Sequence, residues 1–166
     1  MANDKNTLGL AYPLTKMNFV VSVDGYGTAA FSEVTGVEAS VDVIEFRQGN
    51  AHSLAPVKIP GLVKHGNITL KYGMTLGTQF AQWVSKCVND QRSGAGIERK
   101  TVTIELIDIR EGAPSALQEQ ITGNIKWELK EAWVAKYSAP DLNASTSEVA
   151  IESVEIAYEE LTIPAV

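Results

Sequence analysis

Ile44–Thr75, IEFRQGNAHSLAPVKIPGLVKHGNITLKYGMT, decides how the rest of the chain is arranged. After Gly66, Ile68 and Leu70 alternate with Thr69 and Lys71, the period of a strand buried on one side. Val41, Val43, Ile44 and Phe46 close a strand before it. Between the two, Arg47 to Lys64 reads as a long loop. Pro56 and Pro60 deny backbone donors to a ladder, Gly49 and Gly61 permit unusual dihedrals, and neither the helical nor the strand period persists. Loops beyond roughly 12–15 residues are uncommon in compact domains and are usually functional or disordered. Leu54, Val57, Ile59, Leu62 and Val63 make this one too apolar for a disordered linker. Either it folds back over its own domain, or another chain covers it.

Charge marks the same region. From Phe46 to Asn89 there is no Asp or Glu, while Arg47, Lys58, Lys64, Lys71 and Lys86 are basic and the whole chain carries −6. A chain divided in this way attracts copies of itself head to tail, because a basic patch on one meets the acidic remainder of the next.

With 166 residues, 45% hydrophobic and 20% charged, the sequence fits one domain spanning 1–166 with a core of ordinary size. A net charge of −6 and a pI near 4.9 argue against recognition of nucleic acid, which relies on excess Lys and Arg. The start, MANDKNTLGLAYPLTKMNF, lacks the apolar core of a secretory signal, and there is no apolar run of membrane-spanning length, so no membrane anchor is expected. Synthesis and assembly in the bacterial cytoplasm, without a signal peptide, is therefore expected. The lone Cys87 rules out an internal disulfide and a cysteine-based metal site.

Residues 1–16 are polar and irregular, and read as an N-terminal arm. Phe19, Val21 and Val23 alternate with polar neighbours before Asp24-Gly25-Tyr26-Gly27, which predicts a β-hairpin. Gly36, inside the run Phe31 to Val41, predicts a bulge or sharp bend of the kind that curves a sheet toward a barrel. Phe80, Trp83, Val84, Cys87 and Val88 recur at the spacing of an amphipathic helix, predicted over 78–91 with Thr78 or Thr75 as its cap and Gly94 past its end. The stripe reads as core. Val102, Ile104 and Leu106 predict a further strand. Ile125, Trp127, Leu129, Trp133, Ala135 and Tyr137 share one face of a long strand that Glu131 interrupts, so a bend is expected there. Val154, Ile156 and Tyr158 predict the terminal strand.

The catalytic inventory is thin. His52 and His65 both lie in the loop, and Ser53 beside one of them sits in no nucleophile-elbow pattern. Two histidines without a third clustered ligand make a weak metal site, and no glycine-rich phosphate cradle occurs. Glu128 and Glu131, or Glu159 and Glu160, read as a solvated face rather than an acid–base pair. No catalytic, cofactor or metal residue is assigned, and no enzymatic activity is expected.

Taken in order, Phe31–Val37 (FSEVTGV), Glu45–Gly49 (EFRQG), Pro60–Lys64 (PGLVK), Asn67–Thr75 (NITLKYGMT), Phe80 and Trp83, and then Trp127, Lys136–Pro140 (KYSAP) and Val149–Glu152 (VAIE), form a pattern that runs nearly end to end. It resembles the inner tube proteins of contractile phage tails and related bacterial contractile injection systems. The resemblance implies a mainly β fold, a β-barrel-like pair of packed antiparallel sheets with one flanking helix and a long inter-strand loop. Six copies would form a ring, and rings stacked head to tail would form a hollow tube inside a contractile sheath, in a phage tail or a cell-derived particle. Sheath, baseplate and spike proteins would be its partners, and cargo could occupy the lumen.

The resemblance also implies that loop 47–64 reaches neighbouring subunits, which nominates Arg47, Leu54, Val57, Lys58, Ile59, Pro60, Gly61, Leu62 and Lys64 for the subunit interface. Lys126, Glu128 and Lys130 are candidates for the wet lumen wall, because both signs of charge would line the channel. A tube protein of the type VI secretion class is a second reading. A monomeric β-barrel that binds a small ligand is a third, and it requires the apolar loop to cover its own barrel mouth.

Overall fold

The computed structural model describes residues 16, 18–50, 52–74, 78–90, 96–107 and 125–164. All of the expected arm 1–16 except Lys16, and the expected helix-flanking residues Thr75, Gln91 and Gly94, lie outside the described residues.

β1 (Phe19–Val23) and β2 (Gly27–Ala29) form the expected hairpin, with Gly25 and Gly27 at φ of +79° and +71°. β3 (Glu33–Thr35) ends at Gly36, whose φ is +88° and at which a Cβ would stand 2.6 Å from the Asn67 carbonyl oxygen. Only glycine fits there. The chain then leaves the body as β4 (Ala39–Phe46) and returns as β5 (Val57–His65). β6 (Ile68–Gly73) buries Ile68, Leu70 and Tyr72 at strand period, as expected. The helix α1 (Gln79–Asn89) starts at Thr78, whose Oγ1 accepts the Ala81 amide at 3.2 Å. Its stripe buries Phe80, Trp83, Val84 and Cys87, while Val88 lies exposed past the edge of the core.

β7 (Lys100–Leu106), β8 (Ile125–Ser138), β9 (Ile151–Ala157) and β10 (Glu160–Thr162) are the remaining elements among the described residues. Eight strands make one antiparallel sheet in the order β2-β1-β7-β8-β9-β6-β3, with β10 also on β8. The long β8 is its seam. Its first half pairs with β7 and β10, its second half with β9, and the change falls at Glu131, whose φ of 52° is the one positive value among the described non-glycine residues. Burial moves from Leu129 to Ala132 and Val134 across this point. The expected bend is present, but Trp133 does not continue the face of Leu129, whereas Tyr137, beyond a second register shift between Val134 and Lys136, stands opposite buried Val154. A bulge adds one residue, and one residue inverts the side chains that follow until the next bulge inverts them again.

Side chains from both halves meet in a single core, including Val21, Val102, Ile104 and Leu129 from one and Ile68, Leu70, Val134, Val154 and Ile156 from the other. Such convergence requires the sheet to fold back on itself, and α1 closes the cluster with Phe80 and Trp83. The architecture is therefore mainly β, two packed antiparallel halves with one flanking helix.

The expected loop 47–64 needs correction. Val57–Lys64 belongs to β5, so of the expected loop only the described residues 47–50 and 52–56 lie outside a strand. Pro60 is tolerated in the ladder because it pairs with Val43 beside a register shift, in a two-stranded sheet where both strands are edges.

Candidate subunit interface

Among the described residues, the β4–β5 hairpin contributes none to the core. At its root, Ala39 pairs with His65, the His65 ring packs 5.2 Å from that of Tyr158, and the Tyr158 hydroxyl donates to the Glu38 carbonyl at 3.2 Å. Beyond the root it is solvent-exposed on both faces. Val41, Val43, Ile44 and Phe46 on β4, and Val57, Ile59, Leu62 and Val63 on β5, are all exposed, and Leu54 in the connection is 85% exposed. A two-stranded hairpin is marginally stable by itself in water, and a contiguous apolar surface of this kind marks an interaction site.

The structure brings the nominated interface residues together on this one element. Arg47 Nε donates to the Ser53 carbonyl at 3.5 Å, and Gly61 lets β5 approach Asp42, whose carbonyl oxygen would stand 3.1 Å from a Cβ. Lys58 and Lys64 behave otherwise than their basic neighbourhood suggested. They pair with Glu45 and Asp42 across the hairpin, at 4.0 and 2.7 Å. Lys71 and Lys86 likewise pair with Glu33 and Glu98, at 2.9 and 3.7 Å. The charge division seen along the sequence is thus largely neutralised within one subunit, since acids from flanking strands reach into the basic segment.

The exposed members of β4 were not nominated. The signal lay in Val43 and Ile44, adjacent apolar residues that must point to opposite faces and leave neither face polar.

Lys126, Glu128 and Lys130 occupy a different surface, the face of β8 turned away from Leu129. Lys126 pairs with Glu105 at 3.4 Å and Lys130 with Glu160 at 2.9 Å, while Glu128 sits opposite Thr103 on β7 and Thr162 on β10. The result is a polar sheet face of alternating sign.

A second ionic cluster ties three elements together. The Tyr26 hydroxyl donates to Glu98 Oε2 at 2.7 Å, Lys86 Nζ donates to the Tyr26 hydroxyl at 2.9 Å, and Lys100 pairs with Glu98 at 3.2 Å. The Tyr26 hydrogen bond, with the two ammonium groups, holds the Glu98 carboxyl below its ordinary pKa. On α1, burial pushes the Cys87 thiol up. No group of three His, Cys, Asp or Glu among the described residues is placed to hold a metal ion, and no described helix is long and apolar enough to cross a membrane.

No curated protein matches the chain. A chain from the sheath–tube complex of an extracellular contractile injection system, PVC, in its extended state superposes with a TM-score of 0.73 at 24% identity, covering 99% of this chain and 100% of that one. A chain of the anti-feeding prophage baseplate gives 0.73 at 18% identity, over 93% of this chain and 97% of the other. A type six secretion system protein gives 0.50 at 12% identity, over 86% and 80%. In sequence, the family described as T4-like virus tail tube protein gp19 matches residues 15–162, nearly the whole length, and the chain belongs to that family.

Proposed function

We propose that this protein assembles into hexameric rings that stack head to tail as the hollow inner tube of a contractile tail or contractile injection system, the conduit driven through the target envelope when the sheath contracts. The observation that carries this reading is the β4–β5 hairpin, ordered and apolar on both faces yet clear of its own core. Each large apolar side chain on it contributes about 1.5–3 kcal/mol once buried, so a neighbouring copy would stabilise what a lone subunit leaves exposed. Contacts between unlike surfaces close into rings or extend into stacks, and short edge strands such as β2 and β3 can pair across subunits.

The polar face with Lys126, Glu128 and Lys130 is assigned to the lumen, where paired charges of both signs keep the wall wet and weakly adhesive. Sheath, baseplate and spike proteins are the expected partners. The superposition on the PVC and anti-feeding prophage chains, at 0.73 against 0.50 for the type six protein, favours the phage-tail-like tube over the type VI class. A monomeric ligand-binding barrel would need the hairpin folded over its own mouth, and the hairpin side chains are instead exposed. Light scattering and negative-stain imaging of concentrated protein test the assembly, with rings or tubes as the expected result. A protein that stayed monomeric, alone and with its particle partners, would overturn it.

A further inference from the structure

The self-assembly reading leaves one site unassigned, a pocket of about 250 Å³ beside α1 whose lining includes Tyr72, Val84, Val88, Tyr137 and Glu152. Glu152 is 6% exposed, the one buried charged residue among those described. Its Oε1 accepts the Tyr137 hydroxyl at 2.7 Å. Burial first, and then the neighbouring Glu152 carboxylate, push the Tyr72 phenol far above its ordinary pKa, and the hydrogen bond to Glu152 raises that of Tyr137. Hydroxyl donors ease the desolvation of a carboxylate without neutralising it, and buried charges are normally paired. Among the described residues Glu152 has no cation. A pocket with a carboxylate and two phenols on its wall suits a guanidinium, which is planar, weakly hydrated and stacks on aromatic rings.

Its position in the fold identifies where that guanidinium comes from. Tyr72 pairs with Glu152 and Gly73 with Ile151, at one end of β6–β9, whereas the hairpin roots beside Tyr158, past the other end where Ile68 pairs with Ile156. Exposed Met74, Val88, Val149 and Ile151 give the pocket end an apolar surface. On the hairpin, Lys58 and Lys64 already have carboxylate partners, whereas Arg47 has, among the described residues, only the Ser53 carbonyl. One end of the subunit therefore presents an apolar projection with an uncompensated cation, and the opposite end an apolar surface around an uncompensated anion. The two complement each other in a head-to-tail stack.

We propose that the pocket of Tyr72, Tyr137 and Glu152 on one copy receives Arg47 from the β4–β5 hairpin of a copy in the adjoining ring, with the guanidinium on the Glu152 carboxylate. The inference rests on the tube reading and names its stacking contact.

The test uses the full chain. Arg47→Gln and Glu152→Gln should each raise the critical concentration for tube formation by roughly tenfold or more, and the double variant should be no worse than the worse single one. Gln48→Cys combined with Asn89→Cys, which sits on the pocket lining, should give an oxidative cross-link between subunits that neither single variant gives. If Glu152→Gln fails a urea-unfolding check, Tyr137→Phe, Arg47→Gln and the cross-link still decide. Tubes that form without the cross-link, with additive or absent effects of the substitutions, would refute this contact and leave the tube reading standing. Unchanged tubes with lost sheath binding would give the pocket to another protein and also refute it. A wild-type chain that forms neither rings nor tubes would overturn both.

Discussion

The Lys64 ammonium lies 2.7 Å from the Asp42 carboxylate, on strands that hold both groups to the same exposed hairpin. The pair neutralises the hairpin locally, so its contribution to assembly is to keep an apolar surface uncharged as well as to steady the strands. An exposed pair contributes about 0.2–1 kcal/mol. Lys64→Glu should weaken assembly by placing two like charges together, and the exchange Asp42→Lys with Lys64→Glu should restore most of it. Sedimentation of assembled material at fixed protein concentration reads the effect. A double variant no better than the single one would mean that Lys64 acts on a neighbour and not on Asp42.

Replacing residues 40–64 by a short glycine turn should leave cooperative unfolding of the body nearly unchanged, because none of the described core residues lies in that segment and closure entropy changes only with the logarithm of loop length. Assembly should be abolished. Urea unfolding followed by tryptophan fluorescence, with electron microscopy alongside, distinguishes this from a hairpin that the body needs.

Gly36→Ala should destabilise the subunit by roughly 1–3 kcal/mol, since both the φ of +88° and the 2.6 Å approach to the Asn67 carbonyl oppose a side chain. The cost falls at the hairpin root, so the surviving protein should also assemble poorly. Native-like assembly with a normal unfolding midpoint would show that the root tolerates a different backbone path.

Trp83→Ala removes a fully buried ring that donates to the Glu98 carbonyl at 3.3 Å, and should cost about 3–5 kcal/mol. Thermal unfolding should drop well below the wild type. A small shift would mean that the helix packs less tightly on the sheet than its burial indicates.

Glu98 supplies the pH dependence. Its folded pKa lies below the ordinary glutamate value, through Tyr26 first and then Lys100 and Lys86, so it adds stability above the unfolded-state pKa and loses it as pH falls through the folded one. The destabilisation caused by Glu98→Gln should be present at neutral pH and vanish in acid below the usual glutamate range. Urea midpoints measured at a series of pH values would show the two proteins converging, and a constant gap would refute the assignment.

Local period carried much of this fold in the sequence itself. The spacing of Phe80, Trp83, Val84 and Cys87 specified α1, the alternation of Ile68 and Leu70 specified β6, and Asp24-Gly25 specified the first turn, because helix and strand each repeat within a few residues and a turn depends on its own dihedrals. The apolar character of Leu54, Val57, Ile59 and Leu62 was legible too. Tertiary structure decided the rest. Whether Val57–Lys64 is loop or strand depends on Val43 standing opposite Pro60, and which face of β8 follows Glu131 depends on one bulged residue set between β7, β9 and β10. Whether Lys58 and Lys64 are free to attract a neighbour depends on Glu45 and Asp42 crossing the hairpin to meet them. Register and ion pairing are relations between residues distant in the chain, and their energies exist only once the partner strand is in place.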